Sequence, residues 1–325
     1  MTDRSLRALG LDGAPAELPL TYPGRPVEEP ALLTDGRLLP LRPAPGPLGE
    51  WRVVTGMASG PAADPARSPG GAGPANAASP SGGRPGAEGR APSGAPPPGA
   101  GPATEPALDE FLDRLGAARS GARRPVLAVG SNASPAQLHH KLTLRGTDGD
   151  TDGDTGATVP MVPVQVRGIG IGCSAHIGRH GYVAAAPYAD PAARHTLVAG
   201  WLDPAQLAAV DETEFNYRRV WVPGGAFPMT LPSGEPLGGA YLYVSLHGVL
   251  ADPATGRPRP GGGDQGALLA DLLAASAELR ALLGPGPERW VERARADEAV
   301  RAEGRAVFHR AGWARSEGLP ELDHE

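Results

Sequence analysis

Between Met57 and Pro106 the chain is almost wholly Gly, Pro, Ala and Ser, with no aromatic residue and no apolar period. Such a tract cannot bury enough surface to offset the entropy of ordering it, so residues 57–106 are expected to form a disordered linker. Whatever folds must come from either side of it. On the N-terminal side, residues 1–56, Leu32 to Leu39 read as two short strands around the Asp35-Gly36 turn. A lone hairpin is marginal in water, so Trp51, Val53 and Val54 would have to pack it against something larger; the segment reads as accessory.

Order resumes with Leu108, Phe111, Leu112 and Leu115 at helical spacing. Pro125 to Val129 is a short apolar run of the buried-strand kind, ending in Gly130-Ser131-Asn132. Ser134-Pro135-Ala136-Gln137 then carries a helix-capping signature, starting a helix that runs to about Leu142. Strand, glycine turn and helix start aim backbone N–H groups into one small space, a cradle for a carboxylate or a developing oxyanion. The plainer alternative is a tight turn with Gly130 at positive φ and Ser131 and Asn132 bonded locally. Ser131 is a poor nucleophile candidate, because His139 and His140 have no identifiable carboxylate to orient them.

Thr147 to Gly156 alternates Asp with Gly or Thr but lacks the terminal Glu of a calcium loop, and reads as a solvated insertion. From Val159 to Trp201 three strands are predicted in a meander: Val162 to Ile171, Tyr182 to Ala186, and Leu197 to Trp201. His176, His180 and His195 fall on turns without compact metal spacing, so no metal is expected.

Asp203, Pro204 and Gln206 start the next helix with a capping box. Leu207, Val210 and Glu214 follow at i, i+3 and i+7 on one face, whereas Glu212 projects elsewhere. Glu214 thus occupies an apolar position. Either the helix frays before Thr213 and Glu214 is solvated, or Glu214 is a partly buried general base. Strands are predicted at Tyr217 to Val222, Ala226 to Leu231 and Gly239 to Val244. Amphipathic helices follow at Gln265 to Leu283 and at Glu288 to about Arg301, packing either on the sheet or as a homodimer contact with a second copy of the chain.

A formal charge of −6 and no Lys/Arg cluster disfavour nucleic acid or an anionic membrane as partner. Lys141 is the only lysine, in keeping with the Ala/Gly/Pro bias of a GC-rich bacterial genome. Cys173 is the only cysteine, which excludes an intramolecular disulfide. The start leads into no apolar h-region and no run of 18 apolar residues occurs, so a soluble, cytoplasmic protein is expected.

Two pieces of this pattern resemble the gamma-glutamylcyclotransferase-like family. Ala128-Val129-Gly130-Ser131-Asn132 looks like its Tyr-Gly-Ser-Asn loop, and Val210-Asp211-Glu212-Thr213-Glu214 before Tyr217-Arg218-Arg219-Val220 looks like its Leu-Asp-x-x-Glu segment and following strand. Gly181 to Pro187 and Val198 to Leu202 resemble its intervening strands, so the likeness spans about Pro125 to Val244. The resemblance implies an α+β fold, a mixed β-barrel with flanking helices over residues 107–250; it does not reach the amphipathic helices beyond, which read as a C-terminal helical extension over 251–325. It also implies an enzyme without cofactor, in which the α-amine of a small γ-glutamyl substrate attacks its own γ-carbonyl and releases 5-oxoproline. Glu214 then falls on the acid/base, Val129, Gly130, Ser131 and Asn132 on the substrate cradle, and Tyr217 beside them. Val129 departs from the family's loop tyrosine, removing an aromatic wall or hydroxyl. A non-catalytic small-molecule binding module on the same fold is the alternative reading, and a scaffold joined through the linker is a third.

Overall fold

The structure, a computed structural model, describes residues 3–55, 105–143 and 157–320. The predicted linker, apart from its last two residues, and the Asp/Gly tract from Thr147 to Gly156 lie outside the described residues. Eleven strands and seven α-helices follow in chain order among them. These are β1 (Ala31–Thr34), β2 (Arg37–Arg42), β3 (Arg52–Val53), α1 (Leu108–Arg114), β4 (Arg124–Ala128), α2 (Pro135–Thr143), β5 (Val159–Cys173) and β6 (Ala185–Leu202). Then come α3 (Pro204–Asp211), β7 (Tyr217–Pro223), β8 (Met229–Thr230), β9 (Gly239–Ser245), β10 (Val249–Leu250), α4 (Gln265–Ala275), α5 (Ala277–Leu283), α6 (Pro287–Ala296), α7 (Glu298–Arg310) and β11 (Ala314–Arg315).

The Asp35-Gly36 turn takes the left-handed conformations a two-residue hairpin demands, φ 45° and 66°, and sets β1 against β2. The hairpin continues the main sheet, because β1 also pairs antiparallel with β5 through Leu32 opposite Pro160. Trp51 and Val53 are fully buried beneath it. Nine strands form one mixed sheet in the order β3-β2-β1-β5-β6-β4-β9-β7, with β8 added on β5. The β4–β9 ladder is parallel, and the others are antiparallel. Among the described residues no ladder closes this path into a barrel.

Alternation along the strands sends side chains to opposite faces. Leu32, Leu127, Val164, Leu197 and Leu242 enter one apolar cluster to which each of the nine strands contributes, so the sheet must curl around it. Leu33, Val126, Met161, Val198 and Tyr243 enter a second cluster, covered by Leu138 and Leu142 of α2 and Val210 of α3. A third cluster gathers the apolar faces of α4 to α7 with Cys173, Ile177, Val183 and Leu250 at one end of the sheet. The C-terminal helices therefore pack on the sheet.

Four strand and helix expectations are corrected. The predicted three-strand meander is two long strands, β5 and β6, paired from Met161–Gly200 to Cys173–Ala185 with a register shift between Arg167 and Ile169. At the shift Gly168, at φ 85°, stands opposite residues 190–193 of β6, an irregularity within the ladder. The helix predicted from Gln265 to Leu283 breaks at Ser276, whose extended backbone and side chain cap Leu279 N–H. The helix predicted from Glu288 breaks likewise at Asp297, which caps Ala299 N–H. In both cases a local cap outcompetes continuous periodicity. Ala226 to Leu231 supplies only the two-residue β8. No helix of the described residues is long and apolar enough to cross a membrane.

Candidate functional site

A cavity of about 440 Å³ opens where the loop after β4, the α2 helix, the β5–β6 connection and the turn after α3 converge. Val129, Gly130, Ser131, Asn132, Glu214 and Tyr217 all line it, so the residues singled out in the sequence share one space.

Glu214 reaches the cavity by a different route from the one its spacing predicts. The capping box at Asp203 and Gln206 forms as expected, but α3 ends at Asp211. The backbone then tightens: Thr213 N–H donates to Val210 O at 2.9 Å, Glu214 N–H to Asp211 O at 3.0 Å, and the Thr213 hydroxyl to Val210 O at 2.8 Å. Glu214 is thus on a turn and not on the helix face with Leu207 and Val210, yet its side chain is only 14% exposed and is not a solvated end. Asp211 pins this turn, accepting hydrogen bonds from Tyr243 Oη at 2.7 Å and Arg219 Nε at 3.0 Å.

Two donors hold one carboxylate oxygen. Asn132 Nδ2 lies 3.0 Å and Lys141 Nζ 2.6 Å from Glu214 Oε1, and among the described residues no group donates to Oε2. The acidic oxygen also fixes the Asn132 amide, since a flipped amide would turn its own oxygen on the carboxylate. Lys141 is itself only 11% exposed, so this ion pair is sheltered from water.

Gly130 leads a short 3₁₀ turn, Ser131–Ala133, whose first N–H groups have no acceptor inside the turn. Its φ is −132°, so positive φ is not why glycine stands here. The reason is space: a Cβ would lie 2.3 Å from Tyr22 Oη. Tyr22 comes from the N-terminal segment, stacks on Tyr182 with ring centroids 4.3 Å apart, and accepts the Ala185 N–H at 2.7 Å. Tyr217 donates to Ala185 O at 3.0 Å, so the backbone of one residue orients both hydroxyls. Burial raises the phenols of Tyr22, Tyr182 and Tyr217 above their ordinary value, keeping them protonated. Tyr22 thus brings an aromatic ring from residues 1–56 to the cavity wall beside Gly130.

At the cavity floor His176 Nδ1 is 2.5 Å from Ser174 Oγ, which is 2.7 Å from Ser245 Oγ. Burial first, then the nearby His247 and Arg305, pushes the His176 imidazole down to about 3. Ser174 is fully buried and positions the ring instead of offering a nucleophile. At the rim, burial and the charges of Arg179, Arg295, His140 and Lys141 lower His180 to about 4. His176 and His180 line the cavity, whereas His195 lies on β6 away from it; among the described residues no group of three or more His, Cys, Asp or Glu could hold a metal ion.

Sequence reasoning missed Tyr22, Tyr182 and Lys141. For Lys141 a signal existed: three residues after Leu138, it shares the inner face of α2. Tyr22 carried none, lying in a proline-rich stretch without periodicity. No family model matches the sequence, and comparison with curated proteins finds none that matches it.

Proposed function

We propose that the chain is a gamma-glutamylcyclotransferase-like enzyme that releases 5-oxoproline from a γ-glutamyl compound, with Glu214 as acid/base. The observation that carries this reading is the Glu214 carboxylate, anchored through Oε1 and open at Oε2, in one cavity with the turn led by Gly130. An ammonium is not a nucleophile, so a nearby base must first take its proton. Oε2 would receive it, and the freed amine would attack the γ-carbonyl carbon, forming the ring C–N bond. N–H groups at the start of the Ser131 turn would stabilise the tetrahedral oxyanion. On collapse the original amide C–N bond breaks and the proton held by Glu214 passes to the leaving nitrogen; the freed carboxylate then takes the surplus proton of the ring nitrogen and returns it to the released amine, leaving a neutral lactam and an ammonium. No water, oxidant or cofactor is consumed.

A barrel form of the sheet belongs to the same proposal, supported by the single core to which all nine strands contribute. A cytoplasmic setting is supported by a lone, buried cysteine.

The test is release of 5-oxoproline from γ-glutamyl amides and peptides by the wild type and by Glu214→Gln. Loss of a positioned acid/base is expected to slow turnover by about 10²–10⁴-fold. Full activity in the variant would reject the role. One observation favours a non-catalytic binding module instead, the neutralisation of Glu214 by Lys141; no turnover of any γ-glutamyl compound, together with ligand binding, would establish that reading.

A further inference from the structure

Of the charged side chains that line the cavity, Glu214 and Lys141 are in direct contact and largely removed from water, whereas Arg179 and Glu212 are exposed. Such a pair tolerates a ligand only if each charge keeps a counterion, because separating a sheltered pair and leaving one member unmatched is costly. A purely cationic ligand can satisfy Glu214 but strands Lys141; a purely anionic one does the reverse. A ligand bearing both charges on one carbon can instead insert into the pair, exchanging one ion contact for two.

We infer that Lys141 and Glu214 form a zwitterion-selective site, in which Lys141 takes the α-carboxylate and Glu214 the α-ammonium of an α-amino-acid head group. Lys141 is then a specificity-determining residue. Three features support the assignment. Asn132 already holds Oε1, so Glu214 stays in place when Lys141 swings away. Among the described residues no group donates to Oε2, which leaves it to an incoming ammonium. Lys141 projects from α2 on a four-carbon stem, long enough to turn from carboxylate to carboxylate without moving the helix. Ligand class follows from the charge: free α-amino acids and their side-chain amides fit, whereas amines and simple carboxylic acids do not.

The inference rests on the proposed reading for its substrate, but its test does not depend on turnover. Titration calorimetry of the full chain would use three probes of nearly equal size: L-glutamine, which is zwitterionic; L-glutaminamide, which lacks the carboxylate; and glutaric acid monoamide, which lacks the amine. Wild type is expected to bind L-glutamine about 10- to 100-fold more tightly than either. Lys141→Met removes the cation, and its preference should reverse toward L-glutaminamide. Glu214→Gln removes the anion, and its preference should move toward glutaric acid monoamide.

Equal binding of the three probes by wild type, no binding of any, or an unchanged preference in Lys141→Met would overturn the inference. Should Lys141→Met not fold, the wild-type series alone decides. Production of 5-oxoproline, followed in parallel, separates the two claims: selectivity without turnover sinks the enzyme reading and keeps this one, and turnover without selectivity does the opposite.

Discussion

Replacing Gly130 by alanine tests whether the N-terminal segment builds the cavity wall. The new methyl would sit 2.3 Å from Tyr22 Oη, where ordinary contact begins at 3.4 Å, so the phenol must retreat by about 1 Å. It cannot do so freely. Its ring is stacked on Tyr182 at 4.3 Å, and its oxygen accepts the Ala185 N–H at 2.7 Å. Overpacking of a buried site costs about 1–3 kcal/mol and loss of that hydrogen bond about 1, so Gly130→Ala should destabilise the protein by about 2–4 kcal/mol. Tyr22→Phe removes the offending oxygen, and the nearest ring carbon then lies 3.5 Å from the methyl, an ordinary contact. In that background the same glycine substitution should cost less than about 1 kcal/mol, a coupling of at least about 1 kcal/mol. Any cost of alanine common to both backgrounds cancels in the cycle. Urea unfolding of the four proteins, with midpoints compared at unchanged m, measures it. Additive effects, or a cost below about 0.5 kcal/mol in the wild-type background, would refute the steric account.

Two further outcomes concern stability. Arg123 is fully buried and donates to Ala118 O, Thr158 O, Trp201 O and Gln206 Oε1, tying the start of α3 to the sheet; Arg123→Met should cost about 3 kcal/mol or more in chemical unfolding, because those acceptors lose their donor. His176 has a folded pKa of about 3 against an ordinary 6.5, so the unfolded chain binds the extra proton between those values. Its contribution is fully present above pH 6.5 and is lost as pH falls toward 3, with a slope of at most about 1.4 kcal/mol per pH unit. His176→Asn should flatten that part of the stability-versus-pH curve, and an unchanged acid limb would exclude His176 as its source.

The local grammar of the chain was readable without coordinates. The Asp35-Gly36 turn, the strand before Gly130, the start of α2 at Pro135, the capped start of α3 and the strands that became β7 and β9 are each set by bonds or periodicity within a few residues. Where periodicity and a local cap disagreed, at Ser276 and Asp297, the cap prevailed; reading those two side chains first would have found both breaks. Glu214 was picked out for its apolar position on a helix, yet it faces inward because the helix stops and winds into a tighter turn.

What the amino-acid order fixed by itself is short-ranged: element types, their caps and the candidate acid. Tertiary structure alone decided who surrounds that acid. Lys141 meets Glu214 across 73 residues and Tyr22 meets Ala185 across 163, distances over which neither periodicity nor capping carries information. Close packing made those choices: the curled sheet brings Tyr22 of the N-terminal segment, α2 and the α3 turn to one hollow, and an absent Cβ at Gly130 leaves room for a tyrosine.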